Sequence, residues 1–243
     1  MIYEEKYKVQ IRDTRKSTEI TNKGFLGLME DVASSHSNQV GFGIYDLPKT
    51  NLIWLLLEWK LQVFSRPQFE DIVTVKTWSR KIEKYYAYRD FEVYDEKDKL
   101  LAIATSKWIL IDAKSKKVIK IQDEVANGYK TESNHDVFED EKLDKLKEPK
   151  NFTSTLEYKL ARRDIDLYKH MHNLYYLDLA YEALPEKVYE NEDEFSNVRI
   201  TYKREIKCGD EIKCMYSRQN DKHVVVIRSK DGKILHSIIE MWQ

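Results

Sequence analysis

The residues best suited to chemistry lie in one short stretch, "RRDIDLYKHMHNLYY", residues 162–176. This stretch contains aspartates, histidines and an asparagine, and it leads directly into an apolar segment with helical spacing. Histidine and carboxylate side chains commonly act as general acids and bases near neutral pH. The first backbone N–H groups of a helix also favour a negative charge. The stretch therefore predicts a proton-transfer site beside an anion, at the start of a helix over residues 173–184.

The helix that follows has a predicted buried face and a clear end. Apolar residues at helical spacing form that face, namely Leu174, Leu177, Tyr181 and Leu184. Pro185 ends the pattern, because the residue before a proline is disfavoured in a helix. The polar stretch is thus expected to be held by a helix that packs into a core.

Some of these polar residues also have structural explanations. Asp164 is expected to satisfy backbone N–H groups of a turn, and Asp166 could do the same. His170 and His172 alternate on an extended segment, which could suggest a metal. No third ligand follows at metal-site spacing, so the sequence predicts no metal.

The two halves of the chain repeat one order of elements, a strand, a helix and a series of strands. In the first half the helix has apolar residues at helical spacing, which are Phe25, Leu28, Met29, Val32 and Ala33. The last two strands of each half flank a hairpin turn, at "EKDK" and at "KDGK". Residues 71–75 parallel residues 210–214, and "KLLAIATSKW" parallels "KILHSIIEMW". The pattern predicts an α+β fold in which each half is a long helix wrapped by an antiparallel sheet.

The caps and the domain boundaries follow from local composition. Thr21 or Asn22 can cap the first helix, and the glycines at 41 and 43 end it. The segment 123–151 is charged and poor in apolar residues, so it is predicted to be a surface linker. It would separate an N-terminal domain, residues 1–122, from a C-terminal domain, residues 152–243, that carries the polar stretch.

Bulk composition excludes several classes of function. A net charge of −1 over 243 residues gives the whole molecule no pull toward nucleic acid or an anionic membrane. The first residues, "MIYEEKYKVQ", do not resemble a signal peptide, and no apolar run approaches the ~18 residues of a membrane span. Only Cys208 and Cys214 are present, so reduced thiols and a cytoplasmic location are expected. No phosphate-binding loop or Gly-x-Ser-x-Gly motif occurs.

Three segments together resemble one enzyme family. "NLIWLLLEWKLQVFSRPQFEDIVTVKTW", "DIDLYKHMHNLYYLDLAYEALP" and "ITYKREIKCGD" are similar, in order and spacing, to segments of the fatty acyl–acyl carrier protein thioesterases of plant plastids and bacteria. The resemblance covers nearly the whole chain. It implies a tandem, or double, hotdog fold and hydrolysis of fatty acyl–acyl carrier protein, which releases free fatty acid and ends chain elongation. It implies no cofactor.

The resemblance also assigns site residues by position. The family's aspartate falls on Asp166, its histidine on His170 and its glutamate on Glu205. The family's catalytic asparagine is replaced by Tyr168, and the first of its paired asparagines by His172. Ile206 stands where many members have a cysteine after the glutamate, so a cysteine nucleophile has no support at that position.

A thioester is already activated, so water is the expected nucleophile. Glu205 is assigned as the general base or the group that positions water, at the end of a strand over residues 197–205. His170 would bond the water or steady the leaving sulfur, and Asp166 would orient His170 or its loop. Asn173 could cap the helix, donate to the substrate carbonyl, or do both.

Substrate and partner contacts are expected at two further places. The acyl chain would end against Phe25, Leu28 and Met29 of the first helix and Trp54 of the next strand. Acyl carrier protein is acidic, so a basic collar is predicted to bind it. The collar consists of Arg162, Arg163, Lys169, Lys203, Arg204 and Lys207.

Two other functions fit the same residues. An acyl-coenzyme A thioesterase would use the same chemistry on a different donor. The replacement at Tyr168 also allows a hotdog protein that binds fatty acyl groups without hydrolysing them. A homodimer is compatible with the sequence, because a duplicated unit of this kind normally pairs.

Overall fold

The computed structural model describes residues 1–139, 143–191 and 194–243. The chain divides into two compact units, which we call unit 1 (Met1–Glu141) and unit 2 (Lys142–Gln243). Each unit contains a helix and an antiparallel sheet, so the predicted α+β class is confirmed.

Unit 1 begins with a strand, continues into a long helix and ends in a strand meander. Its strands are β1 (Tyr3–Lys8), β2 (Leu52–Val63), β3 (Ile72–Ile82), β4 (Tyr86–Tyr94), β5 (Leu100–Asp112) and β6 (Val118–Ile119). Its helices are α1 (Asn22–Gln39), α2 (Leu47–Thr50) and α3 (Asp123–Tyr129). The main strands lie in the order β1-β3-β4-β5-β2, all neighbours are antiparallel, and β6 pairs with β5.

Helix α1 forms where its capping and its apolar spacing predict it. The Thr21 hydroxyl oxygen accepts a hydrogen bond from the backbone N–H of Gly24 at 2.9 Å, which satisfies one of the unpaired N–H groups of the first turn. Gly41, directly after the helix end, has a φ of +83°, which glycine adopts without steric cost. Phe25 and Met29 are fully buried on the inner face of the helix. The predicted start and end of this helix are therefore confirmed.

Unit 2 repeats the plan of unit 1 with shorter elements. Its strands are β7 (Ser154–Lys159), β8 (Asn197–Tyr202), β9 (Glu211–Gln219), β10 (Lys222–Ser229) and β11 (Leu235–Trp242). Its helices are α4 (Tyr175–Glu182) and α5 (Glu186–Asn191). The antiparallel order β7-β9-β10-β11-β8 is the order of unit 1 with each strand replaced by its counterpart. The predicted duplication is thus visible strand by strand.

Helix α4 starts later than the sequence predicts. It begins at Tyr175, and its cap position is Leu174, which makes no side-chain capping bond. The backbone N–H of Leu174 instead donates to Nδ1 of His172 at 3.3 Å. Asn173 is therefore not at the cap position, which Leu174 occupies, and the imidazole of His172 instead fixes the backbone just before the helix.

The segment predicted to be a linker, residues 123–151, is ordered over much of its described length. Its first seven residues form α3, and Val125 and Tyr129 are buried in unit 1. Leu146 is buried in unit 2 against a cluster that includes Val224 and Ile238. These apolar residues anchor the segment at both ends despite its charged composition. Residues 140–142 of the predicted linker lie outside the described residues.

Two further expectations concern membranes and cysteines. Within the described ranges, no helix combines the length and apolar composition required to cross a membrane.

Cys208 and Cys214 are both free thiols. Cys208 is exposed in the loop after β8, whereas burial raises the pKa of the Cys214 thiol to about 12. Cys214 is therefore protonated near neutral pH and serves as a core residue.

Candidate active site in unit 2

The imidazole of His170 and the carboxylate of Glu205 are in direct contact. Nε2 of His170 lies 2.8 Å from Oε2 of Glu205. The His170 side chain is 25% exposed and the Glu205 side chain is 50% exposed, so the pair is open to water and to a substrate. A histidine hydrogen-bonded to a carboxylate is an arrangement suited to proton transfer.

The loop that carries His170 is organised by Asp166. Oδ1 of Asp166 accepts the backbone N–H of Tyr168 at 2.8 Å and that of His170 at 3.2 Å. The loop is closed by a backbone bond from Asp166 N–H to the carbonyl of His170, at 2.8 Å. Lys169 takes a φ of +68° at the tip of this turn. Asp166 therefore holds the backbone on which the imidazole is mounted.

Replacing Asp166 by alanine is expected to lower kcat about tenfold, because a loosened loop misplaces the imidazole. Asp166→Asn keeps an oxygen that can accept the same N–H groups, so its kcat is expected to stay within about threefold of the parent. Steady-state turnover of the thioester that the sequence resemblance implies, compared with the thermal melting temperature of each variant, measures both effects. Parental activity in the alanine variant would refute this role for Asp166.

Asp164, the neighbouring carboxylate, is a structural residue. It is buried, and its Oδ2 accepts the Tyr158 hydroxyl and the Ala161 backbone N–H, each at 2.8 Å. Its carbonyl accepts the N–H of His172 at 3.0 Å. These bonds fix the 3₁₀ turn at Arg162–Asp164 that leads into the site loop.

Glu205 lies in a turn and not at the end of a strand. Strand β8 ends at Tyr202, and Glu205 follows three residues later. The turn is attached to the His170 loop by a bond from the backbone N–H of Met171 to the carbonyl of Ile206, at 2.8 Å. Lys207 also forms an isolated bridge with His170. These backbone contacts explain how two side chains distant in sequence come together.

The backbone N–H groups at the start of α4 are already engaged. Tyr175 N–H donates to the carbonyl of His172 at 3.0 Å, and Leu177 N–H donates to that of Leu174 at 3.2 Å. Leu174 N–H is held by His172, as described above. The expectation that these groups form a ready anion site is therefore wrong, because a tight turn before the helix satisfies them internally.

Two tyrosines enclose the site. Tyr176 is buried, and burial, together with the charges of Glu205 and Asp166, raises its pKa. Burial and Asp166 likewise raise the pKa of Tyr168, which occupies the position of the family's asparagine. Both phenols therefore remain protonated near neutral pH. Each can offer an O–H donor, but neither can act as a base under those conditions.

Tyr202 is a further residue beside the site that sequence reasoning did not select. Its hydroxyl donates to the carbonyl of Asn173 at 3.1 Å, and its ring meets that of Tyr176 edge-on at 5.1 Å. It thereby holds the segment between the His170 loop and α4. Its place at the end of β8, directly before the Glu205 turn, is the only sequence signal for this role.

Unit 1 contains a second copy of the same backbone framework. The bridge between His170 and Lys207 has a counterpart between Glu19 and Gln68. The bond from Met171 to Ile206 has a counterpart from Ile20 N–H to the carbonyl of Pro67, at 3.0 Å. Glu19 is thus the counterpart of His170.

The unit 1 copy carries other side chains at the positions of His170 and Glu205. Arg66 is the counterpart of Glu205, and its guanidinium donates to the carbonyl of Ile20 at 2.9 Å and to Oδ1 of Asn22 at 2.8 Å. Asn22, the counterpart of Asn173, is fully buried. In unit 1, the guanidinium of Arg66 hydrogen-bonds the loop backbone, and no imidazole and carboxylate pair is present at these positions. Aligning residues 71–75 with 210–214 already places Arg66 opposite Glu205, so this difference was readable from the sequence.

The four predicted acyl-chain residues do not meet at one point. The Arg66 guanidinium lies 5.9 Å from the ring centre of Phe25, near the start of α1. Trp54 packs against Tyr129 with ring centres 5.9 Å apart, and Tyr129 in turn packs against His36. Phe25 and His36 are separated by about 16 Å along a helix. Phe25, Leu28 and Met29 thus lie within about one turn of α1, whereas Trp54 lies on β2 and packs with Tyr129, which contacts the other end of the helix.

The remaining two α1 candidates differ in their surroundings. Met29 is fully buried, as Phe25 is. Leu28 lines a cleft between β1 and α1 whose other walls include Lys6, Lys8 and Asp31. Charged walls make this cleft poorly suited to a hydrocarbon chain.

The residues of the predicted basic collar are all exposed and all flank the His170 and Glu205 loops. They are Arg162, Arg163, Lys169, Lys203, Arg204 and Lys207. The side chain of Arg163 is 84% exposed and lies 3.7 Å from Asp164. The collar residues are thus available to a partner of opposite charge. Across the described part of the chain, no cluster of three or more His, Cys, Asp or Glu side chains is placed to hold a metal ion.

Both units match families of known proteins. Residues 1–129 match the family model of the acyl-ACP thioesterase N-terminal domain, and residues 146–243 match that of the acyl-ACP thioesterase C-terminal domain. The oleoyl-acyl carrier protein thioesterase of Coriandrum sativum is 25% identical over 245 residues, which cover 93% of this chain and 65% of that relative. The palmitoyl-acyl carrier protein thioesterase of Cuphea hookeriana is 31% identical over 179 residues, which cover 70% of this chain and 42% of that relative. The chain thus spans less than two thirds of the length of these curated relatives.

A solved structure gives the same fold. The acyl-ACP thioesterase from Bacteroides thetaiotaomicron superposes with a TM-score of 0.86 at 19% sequence identity, covering 99% of this chain and 97% of that one. The predicted tandem hotdog fold is therefore confirmed.

Proposed function

Because the chain belongs to the acyl-ACP thioesterase family, we propose that it hydrolyses the thioester of fatty acyl–acyl carrier protein and releases free fatty acid. The observation that carries this proposal is the 2.8 Å contact between Nε2 of His170 and Oε2 of Glu205. The relatives and the neighbour described above are named for activity on acyl carrier protein, which supports the same substrate class.

The proposed reaction uses water as the nucleophile. Glu205, half exposed beside His170, takes a proton from the attacking water and is the general base. The tetrahedral intermediate then collapses by breaking the C–S bond, and the proton that Glu205 took from water passes to His170 across their 2.8 Å contact and from His170 to the departing sulfur, which returns both side chains to their starting state. Water adds one oxygen to the acid, and the carrier leaves as a thiol, so atoms and charge balance. A positioned base of this kind contributes about 10²–10⁴-fold to the rate.

Asn173 is the proposed donor to the carbonyl oxygen. The α4 N–H groups are engaged, so a side-chain amide next to His172 is better placed for this task. One such donor is worth about 10²–10³-fold. Asp166 acts on the loop backbone and not on the reacting atoms.

The acyl chain is proposed to end against Phe25, Leu28 and Met29 of α1 and Trp54 of β2, away from the charged cleft between β1 and α1. Each CH₂ buried there contributes about 0.8 kcal/mol. Chain-length preference would then be set by where the channel closes. We also propose that residues 1–122 and 152–243 form two domains. The protein is proposed to act in the cytoplasm and to form a homodimer.

Acyl carrier protein is proposed to bind the exposed basic collar. We expect that reversing the charge of Arg162 and Arg163 together lowers kcat/KM on acyl carrier protein substrates about tenfold or more, since charge reversal at a rim contact slows association. A short, carrier-free thioester should be hydrolysed at the parental rate. Parallel measurements on both substrates check this, with Lys233→Glu, in the turn between β10 and β11, as the control for an exposed lysine outside the collar. Equal losses on both substrates would remove the collar from the proposal.

The assay that tests the function measures free thiol released from long-chain acyl thioesters. Acyl carrier protein and coenzyme A esters of equal chain length are compared across several lengths. Faster release from the carrier ester is the expected result. Release from the coenzyme A ester alone would indicate an acyl-coenzyme A thioesterase, and no release from either would indicate a protein that only binds acyl groups.

A further inference from the structure

The turn that carries Glu205 is attached to strand β11 at a single residue. The backbone N–H groups of Lys203 and Arg204 both donate to the carbonyl of His236, at 2.8 and 3.4 Å. These two residues lead directly into Glu205. The position of His236 therefore fixes the backbone of the two residues that precede Glu205.

His236 occupies a β-bulge. On the paired strand β10, Ile227 faces Ser237 and the next residue, Arg228, faces Leu235. His236 is the extra residue between these two pairs. Bulges re-aim a side chain and are common beside active sites. Here the bulge turns the imidazole toward the Glu205 turn.

The His236 side chain adds a third bond to the same turn. Its Nδ1 lies 3.1 Å from the carbonyl oxygen of Arg204. A carbonyl can only accept, so Nδ1 carries the hydrogen and donates it. The residue is 4% exposed, so water competes little for this bond. The carbonyl of Arg204 belongs to the peptide group that also contains the nitrogen of Glu205.

Unit 1 provides a natural comparison at the same position. The N–H groups of Phe64 and Ser65 both donate to the carbonyl of Leu101, at 2.8 and 3.1 Å. Leu101 is also the extra residue of a bulge, because Val93 faces Ala102 and Tyr94 faces Leu100. Leu101 is thus the counterpart of His236, one residue away from the parallel that the two sequences suggest.

The two copies carry different side chains at this bulge. In unit 1, where Arg66 replaces the catalytic glutamate, the bulge residue is a buried leucine that cannot donate a hydrogen bond. In unit 2, where Glu205 must meet an imidazole, the bulge residue is a histidine that does donate one. Backbone architecture alone therefore does not require a histidine at this position.

We propose that His236 is a positioning residue for hydrolysis, which fixes the peptide between Arg204 and Glu205 and so holds the Glu205 carboxylate against His170. The inference rests on the proposed function, since it acts through Glu205. On the far side of Glu205, the carbonyl of Ile206 is held by the N–H of Met171. Glu205 is thus clamped between two fixed peptide groups, one of which depends on the His236 side chain.

Two substitutions at this position separate positioning from packing. His236→Leu removes the donor, and it is expected to fold because the equivalent buried position in unit 1 is a leucine. It should lower kcat about tenfold with KM changed less than about twofold, as expected when only the reacting geometry is disturbed. His236→Asn can donate from Nδ2 at nearly the same place, and it should restore kcat to within about threefold of the parent.

The decisive measurement repeats His236→Leu in a Glu205→Gln background. If His236 acts through Glu205, the second change should alter kcat by less than about twofold, because residues that act as a unit are not additive. Equal losses in both backgrounds, or an asparagine variant as impaired as the leucine variant, would overturn the proposal. Full turnover by Glu205→Gln alone would overturn the function assigned to Glu205 as well. A large loss in Glu205→Gln with parental kcat in His236→Leu would overturn this inference alone.

Discussion

Glu205→Gln is expected to lower kcat by about 10²-fold or more, because the amide cannot accept a proton from water. Glutamine has nearly the same shape as glutamate, and the side chain is half exposed, so the fold should be unaffected. Substrate binding should also persist, which leaves KM within a few-fold of the parent. Steady-state hydrolysis of an acyl carrier protein thioester, with thermal melting of the same preparations, checks both statements.

Two control variants isolate the role of Glu205. Glu211→Gln removes an exposed carboxylate of unit 2 that pairs with Lys230 at 3.0 Å, and it should leave kcat unchanged. Cys208→Ser removes the exposed thiol in the loop that carries Glu205, and this variant too should hydrolyse the substrate at the parental rate. A large loss in Cys208→Ser with parental turnover in Glu205→Gln would show that the nucleophile is a thiol and not water.

His170→Gln is expected to lower kcat by about 10²-fold. The glutamine amide can still donate to Glu205, but it cannot carry a proton to the departing sulfur. The loss should therefore appear in turnover, with the melting temperature nearly unchanged because the side chain is partly exposed. Rates measured with leaving thiols of different acidity give a sharper result. The defect should shrink when the thiol is acidic and departs without a proton.

The matched control is His172→Asn, two residues along the same loop. Its ring nitrogen accepts the backbone N–H of Leu174, which an asparagine oxygen can also accept. This variant should keep kcat within about threefold of the parent, since a surface-loop bond of this kind is replaced and not lost. Equal losses at both histidines would mean that the loop, and not the imidazole of His170, is what the reaction needs.

The regular elements of the fold were accessible to sequence reasoning because their signals are local. Thr21 caps α1 as predicted, and Gly41 follows its end with a positive φ. Helix α3 was missed because Val125 and Tyr129 are its only buried residues in an otherwise charged segment. The early start predicted for α4 was wrong because a tight turn, closed by a bond from Tyr175 N–H to the His172 carbonyl, precedes the helix.

Sequence reasoning identified His170, Glu205 and Asp166, but it did not identify the hydrogen bonds that bring them together. His170 and Glu205 were found through resemblance to a family, since no periodicity links a loop before a helix with a turn after a strand. Asp166 was expected to orient His170 or its loop, and in the structure its Oδ1 accepts hydrogen bonds from the loop backbone. His236 and Tyr202 act through backbone carbonyls, and a carbonyl has no side-chain signature in a sequence.

The central claim is that His170 and Glu205 act as one unit, and a double-mutant cycle tests it most directly. The kcat values of His170→Gln, Glu205→Gln and the double variant are measured on one acyl carrier protein substrate. We predict that the double variant is no slower than the slower single variant, to within about threefold, because either change alone disables the pair. A double variant whose loss equals the product of the two single losses would contradict the account, since the two residues would then act independently.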